Sequence, residues 1–323
     1  MRKFLGFFIF LSALSVVLFL TELHHKHSIK ATDIEIKKGY SIKQISRILE
    51  EKGIIRNRAV FLIYSKIKGK SLKEGYYQFE GDLSIKDVWE ILYKGREKLF
   101  PFTITPGEDL IDIGKKLEKE GFLKKEIFYH YVFSRENLKK FSLKGNSFEG
   151  YFPPETYYLR KNPDIEYVVK TFLKEFKKSY EPVLRSKNLK GLSPYHIMII
   201  ASLVEKETAL TEEKPVIAGV IMNRLKKGMR LQIDPTVIYA LKLVGLWNGK
   251  LTKEMLKFDS QYNTYVYFGL PPTPISSFSV ETLKAVINYK KTDYLYFFTK
   301  DGKKHIFSKT YREHLKKMIK SFP

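Results

Sequence analysis

The most pronounced pattern in the chain is its first. Residues 4–20 read FLGFFIFLSALSVVLFL, without a charge, between Arg2-Lys3 and Thr21-Glu22-Leu23. About 17–25 apolar residues cross the hydrocarbon core of a bilayer as a helix. The two cations in front of the run favour a cytoplasmic N-terminus with the bulk of the chain on the periplasmic or extracytoplasmic side. A secretory signal has a shorter apolar stretch, about 7–15 residues, and a small-residue cleavage site. This run is longer and no such site follows it. Residues 1–23 therefore predict a cytoplasmic tip and a retained single-pass anchor in the plasma (inner) membrane. His24-His25-Lys26-His27 then reads as a polar membrane flank rather than a metal site.

Two later stretches share one pattern at a constant offset. IEIKKGYSIKQISRILEEKGI begins at Ile34 and FTITPGEDLIDIGKKLEKEGF at Phe102. Ile36, Gly39, Ile45, Leu49 and Gly53 correspond to Ile104, Gly107, Ile113, Leu117 and Gly121. Alternating apolar residues predict a strand, a glycine turn follows, and apolar residues then recur at helical spacing. Gly53 and Gly121 stand where a glycine closes a helix. The expectation is two small β-α-α units. Between them Gly75–Phe79 reads as a strand, and Ser84 caps a helix carrying Ile85, Val88, Trp89 and Leu92, ended by Gly95.

From about Asn146 the chain turns aromatic and proline-rich (SFEGYFPPETYYL), then predicts a helix over 165–180. Ser193-Pro194 is a strong helix start for the apolar YHIMIIASLVEKETAL. A helix over 213–227 ends at Gly228. Leu231 and Ile233 alternate with Gln232 as a short strand, and Asp234-Pro235 opens another helix with Asp234 as its N-cap. Near the end, YLYFFT and HIFS flank Lys-Asp-Gly-Lys as a hairpin, and a basic helix begins near Thr310. The expected fold is α+β: the N-terminal membrane anchor helix over 1–23, small α/β units over 24–145, and an α-rich domain with a small β-sheet over 146–323.

Composition narrows the partners. The length of 323 residues with 44% hydrophobic content suits two modest domains. Lys and Arg number 58 against 35 Asp and Glu, a net charge of +23. Such a field favours polyanions: nucleic acid, anionic lipid or an acidic wall polymer. No nucleic-acid motif stands out, and an external location would remove that ligand. The absence of Cys excludes disulfides, a thiolate nucleophile and Cys-ligated metal.

Chemistry concentrates at Glu205-Lys206-Glu207-Thr208. The ordinary reading is a solvated helix end. Helical geometry sharpens it, because Glu207 lies three, four and seven residues after Val204, Leu203 and Ile200 and prolongs the apolar stripe. Glu205 lies above Ala201 and Ser202. A carboxyl at the edge of an apolar stripe loses hydration and keeps its proton nearer neutrality, which a general acid requires. Polar residues that could line a cleft are Asn223, Arg224, Gln232, Asp234, Tyr262, Asn263 and Thr264, with the proline-rich loop Gly269–Ile275 as a wall. Beside this, Asn223 and Arg224 read as the polar face of their helix.

EGYFPPETY, ASLVEKETA, VIMNRLKKGMRLQIDPTVIYAL, YNTYVYFGLPPTPI and YLYFF occur in that order. Together they resemble the YceG-like family, the endolytic murein transglycosylases, over nearly the whole chain, anchor included. KKGYSIKQIS and TPGEDLIDIG resemble LysM-type peptidoglycan-binding modules, which would make 24–145 a peptidoglycan-facing region. The resemblance implies an enzyme acting on peptidoglycan glycan strands and in contact with cell-wall synthases. It would break the β-1,4 link from N-acetylmuramic acid to N-acetylglucosamine and leave a 1,6-anhydro end, with no metal or other cofactor. Its essential acid would be the second Glu of EKET, Glu207, with groove roles for Gln232, Asp234 and Asn263. One departure is the PPET block, where relatives carry Asp-bearing WPDTY-like versions. The alternative is a non-catalytic, membrane-anchored wall-binding protein, against which the intact EKET block argues.

Overall fold

A computed structural model describes residues 2–185, 191–300, 302 and 304–321, with the side chains of 2–5 and 8 excepted. The chain divides into two units, Met1–Phe100 with Tyr158–Lys161, and Pro101–Tyr157 with Asn162–Pro323.

The first unit opens with α1 (Arg2–His24). Ile9, Phe10, Val16, Val17 and Leu18 on it are more than half exposed, whereas Leu23 is buried in the unit's core. Among the described residues no helix is long and apolar enough to cross a membrane. Then follow β1 (His27–Ile36), α2 (Ile42–Glu51), α3 (Arg58–Lys68), β2 (Gly75–Leu83) and α4 (Ile85–Lys94). β1 and β2 are antiparallel, with Ile34 opposite Tyr77. Ile34, Ile36, Tyr77 and Phe79 share one core with Ile45, Leu49, Phe61, Val88 and Leu92 of the helices.

β3 (Leu99–Thr103) is followed by α5 (Leu110–Lys119), α6 (Lys125–Val132), α7 (Arg135–Lys140) and β4 (Thr156–Arg160), which pairs with β3. α8 (Ile165–Glu175) passes through a π turn at Phe176–Tyr180 into α9 (Glu181–Leu184). The remainder comprises α10 (Pro194–Glu207), α11 (Lys214–Lys226), α12 (Asp234–Leu243), α13 (Val280–Ile287), the antiparallel hairpin β5 (Tyr296–Thr299) and β6 (His305–Ser308), and α14 (Tyr311–Ser321). The mixed, helix-rich α+β class matches the expectation. Asp301 and Lys303 of the hairpin turn lie outside the described residues.

Both repeated stretches form strand, helix, helix. Ile36, Ile45 and Leu49, and their counterparts Ile104, Ile113 and Leu117, are all buried. Ser41 with Gln44 and Asp109 with Asp112 each build a reciprocal cap at the first helix. Gly53 and Gly121 close these helices at φ 68° and 75°, a left-handed conformation in which a side chain is strained. The copies fall into different units, so the chain divides near residue 100, whereas the sequence placed a boundary at 145. The second copy is stitched to the C-terminal half. Lys242 Nζ reaches Asp109 at 2.6 Å and Asp112 at 2.7 Å. Glu149 accepts from Leu110 N at 3.1 Å and from the Tyr239 hydroxyl at 2.9 Å.

Two local expectations fail. Leu231–Ile233 is not a strand, because Gln232 adopts φ 51° and breaks the extended path. Asp234 is not the N-cap of α12. Ile233 holds that position without a side-chain bond, and the Asp234 carboxylate instead accepts the Tyr265 hydroxyl.

One buried ion pair joins α10, α11 and α13. Glu205 and Lys214 meet at 3.1 Å with both side chains only 5% exposed. Ser279 N, Ser279 Oγ and the Thr282 hydroxyl also donate to Glu205 Oε2. The carboxylate thus sits at the N-terminus of α13, where the helix dipole favours it. Farther along α11, Pro215 O accepts Lys290 N at 2.9 Å, and a Cβ on Gly219 would stand 2.3 Å from Lys290 O.

Removing Lys214 leaves a buried carboxylate without its cation. Lys214→Ala should cost about 3–5 kcal/mol of stability in urea denaturation; a cost near zero would contradict the description of the pair. Gly219→Ala should destabilise by about 1–3 kcal/mol through overpacking against a backbone carbonyl, reversing the usual helix gain of Ala over Gly. A rise in melting temperature would refute the close approach.

Candidate active site

The site grows from the end of α10. Ser193 caps this helix by accepting His196 N at 3.1 Å, and the eight residues Ile197–Val204 are all buried. A helix buried on every side carries its terminal carboxylates inward with it. Thr208 ends it in an extended conformation, accepts Leu210 N at 3.1 Å and donates to Glu213 at 3.2 Å. Glu213 also receives His305 N at 2.8 Å and pairs with His305 Nδ1 at 2.7 Å. Burial opposes ionisation of Glu213, yet the hydrogen bonds from His305 hold its carboxyl below the usual range. The last turn of α10 is therefore tied to β6.

The two glutamates of EKET have opposite environments. Glu205, its side chain only 5% exposed, is fully partnered. Glu207 is partly exposed, and no described residue gives its carboxyl a hydrogen bond or an ion pair. Burial, and then the negative charge of Asp234, raise its pKa from 4.5 to about 7, against the opposing charge of Arg224. The difference between the two is thus one of partners rather than of burial. Position on the apolar stripe points to Glu207, but it does not reveal that Glu205 is enclosed as well.

Arg224 is a fixed cation. Its guanidinium is 5.3 Å from the Tyr296 ring centroid and donates to Leu295 O at 2.6 Å and to Leu231 O at 2.5 Å. Asp234 is exposed at the start of α12 and holds the Tyr265 hydroxyl. Burial first, and then that bond, push the Tyr265 hydroxyl upward, which keeps it a donor. Gln232 is exposed on the same turn, in the left-handed conformation. Such strain in a non-glycine residue is concentrated at functional sites.

The remaining sequence candidates are scaffolding. Thr264, buried, supports the turn by accepting Gln232 N through its carbonyl at 3.1 Å and Ile233 N through its hydroxyl at 3.0 Å. Asn263, also buried, spends its amide on Leu256 O at 3.0 Å, Phe258 O at 2.7 Å and Tyr265 N at 2.9 Å. This leaves nothing for a ligand. Tyr262 bonds Thr273 at 3.0 Å and packs edge-on against Tyr239. Asn223 clamps Thr292 O at 2.7 Å and Tyr294 O at 2.9 Å. It lines a hollow of about 510 Å³ with Lys226, Lys227 and Lys309, to which Glu207, Gln232 and Asp234 do not contribute. The structure therefore gathers Glu207 and Asp234, with Gln232 on the same turn as Asp234, and sets Asn223, Tyr262, Asn263 and Thr264 in supporting roles.

Tyr265 and the Glu213–His305 pair went unnoticed in the sequence. Arg224, a candidate cleft-lining residue with the polar face of α11 as its ordinary reading, stands on the apolar side of that helix, as its spacing from Val220 and Ile221 implies. Phe268, 64% exposed with the Arg230 guanidinium 4.5 Å from its ring centroid, adds a flat apolar face to the loop after Tyr265. Among the described residues no group of three or more His, Cys, Asp or Glu could hold a metal ion.

Known proteins share this arrangement of sequence. The YceG-like family pattern matches residues 34–320. An endolytic murein transglycosylase of Bacillus subtilis (strain 168) is 33% identical over 92% of this chain and 86% of its own length. The endolytic murein transglycosylase of Streptococcus pneumoniae serotype 2 (strain D39) is 31% identical over 84% of this chain, which spans 54% of that longer protein. The crystal structure of a putative YceG-like protein from Listeria monocytogenes superposes with a TM-score of 0.59 at 31% identity, covering 89% of this chain and 98% of that one. With the family pattern matched from Ile34 almost to the end of α14, this chain belongs to the YceG-like family.

Proposed function

We propose that this chain is a lytic transglycosylase of peptidoglycan glycan strands, with Glu207 as its acid and then its base. The observation that carries the reading is the Glu207 carboxyl: partly exposed, without a partner among the described residues, and holding its proton up to about pH 7. The family membership and the names of the bacillary and streptococcal relatives support the substrate class. A purely wall-binding role would leave this desolvated carboxyl without a purpose.

The chemistry needs one carboxyl where most glycosidases need two. Glu207 protonates the glycosidic oxygen between N-acetylmuramic acid and N-acetylglucosamine as that bond breaks. The resulting carboxylate then takes the proton of the muramoyl C6 hydroxyl, which closes on C1 of its own sugar to give a 1,6-anhydro end. Intramolecular attack supplies a high effective concentration, so no water is consumed and Glu207 ends protonated, as it began. Arg224 steadies the carboxylate formed midway. Gln232 supplies amide donors for the substrate, and Phe268 offers an apolar face for a sugar ring. The Tyr265–Asp234 bond fixes the wall of the site.

The same proposal extends to place and accessory region. The uncharged run 4–20, with its exposed apolar side chains, supports attachment to the plasma (inner) membrane through α1. Arg2 and Lys3 would stay on the cytoplasmic side and the catalytic unit would face the wall. The β1-α2-α3-β2 arrangement supports a LysM-like, glycan-holding role for the first unit.

Glu207→Gln should fold and lose at least about a thousandfold in kcat. Mass spectrometry of digests of uncrosslinked glycan strands should find anhydro-muramoyl ends with the parent chain alone. Undiminished anhydro products from the variant would sink the assignment. The free acid must be protonated, so kcat/KM should fall as pH rises through about 7. Stability carries the same signature. A folded pKa raised from 4.5 to about 7 stabilises fully below about 4.5, and that stability, about 3 kcal/mol, is lost as pH rises through 7. Glu207→Gln should therefore gain on its parent in denaturation midpoint between pH 5 and pH 8; a gap independent of pH would contradict the desolvated carboxyl.

A further inference from the structure

α14 presents two parallel rows to solvent. Tyr311, Leu315 and Ile319 follow one another at four-residue spacing and are 58%, 41% and 72% exposed. Arg312, Lys316 and Lys320, each one residue later, are exposed as well. At 100° per residue these six side chains cover about half of the helix circumference, apolar on one side and cationic on the other.

The other half of the helix is half-buried and faces the hairpin. Lys317 Nζ donates to Phe307 O at 2.8 Å, and the His314 ring lies 5.3 Å from Tyr296 and 5.4 Å from Phe298. Glu313, the helix's one acidic residue, accepts Lys309 N at 2.8 Å and pairs with Lys317 at 2.7 Å. The β5–β6 hairpin thus holds α14 by its inner face, and no carboxylate is left on the outer face to offset the three cations.

We propose that this outer face of α14 docks on the surface of an anionic lipid bilayer. An apolar row beside a basic row is the arrangement with which a helix lies in the headgroup region, its apolar side chains reaching the acyl boundary and its cations meeting lipid phosphates. A soluble polyanion would satisfy the basic row alone, and a purely apolar groove the apolar row alone. A lipid surface satisfies both at once. Each Lys or Arg near such a surface contributes on the order of a fivefold gain in binding. The inference is independent of the catalytic role of Glu207.

The test uses the full chain, which has no cysteine. Ser321→Cys, labelled with an environment-sensitive dye, leaves all six exposed residues intact. Mixed with phosphatidylglycerol vesicles, the dye should shift to the blue and be quenched by lipid-borne quenchers. It should do neither with phosphatidylcholine vesicles, even where α1 holds the protein on them. Adding Lys316→Glu and Lys320→Glu should lower the apparent affinity for the anionic surface at least tenfold, with the melting temperature unchanged. Adding Leu315→Ser and Ile319→Ser should abolish the quenching. Equal responses to both lipids, no response to either, a shift produced by isolated cell wall alone, or a concentration-dependent shift without vesicles would each overturn the proposal. The last would point instead to a second copy of this chain.

Discussion

The structure turns on the Glu205–Lys214 ion pair. Two carboxylates leave the end of α10 within three residues, and both enter an environment that penalises charge. Only one is compensated. Glu205 takes the buried Lys214 ammonium and the Ser279 and Thr282 donors. With those spent, no described residue bonds Glu207, and it keeps its proton up to about pH 7. The fold thus raises the pKa of Glu207 to about 7 by giving its close hydrogen-bonding and ion-pair partners to its neighbour and leaving only the more distant charge of Arg224 to oppose the rise. Breaking the pair would disturb both roles, since it would unpair Glu205 and loosen the packing that desolvates Glu207.

Strain and support surround this carboxyl in a consistent way. Gln232 stands in a left-handed conformation and is held there by Thr264, while Asn263 and Thr236 fix the loop carrying Thr264 and Tyr265. Groups that look suited to a sugar, such as the Asn263 amide, are committed to backbone bonds. Gln232 and Asp234, by contrast, are exposed. A constellation of exposed polar groups is held in place by a rigid supporting layer of this kind.

Much of this was legible in the chain. The repeat, its glycine caps and the stripe leading to Glu207 follow from periodicity and turn chemistry, because each is a local property. What escaped is non-local. Nothing in the sequence says that Lys214 crosses to Glu205, that Tyr265 rather than a backbone amide takes the Asp234 carboxylate, or that His305 bonds Glu213 across 92 residues of chain. The alternation around Gln232 predicted a strand because pattern registers side-chain polarity and not the sign of φ. The boundary at 145 followed a change in composition, whereas packing joins the second repeat to α12 through Lys242.

Glu207 keeps its proton up to about pH 7 because it is desolvated and bonded by no described residue. Carbon-13 NMR titration of the side-chain carboxyls, with the Glu207 resonance assigned by its loss in Glu207→Gln, measures this directly. The account expects a midpoint near pH 7. A midpoint near 4.5, the ordinary glutamate value, would contradict it.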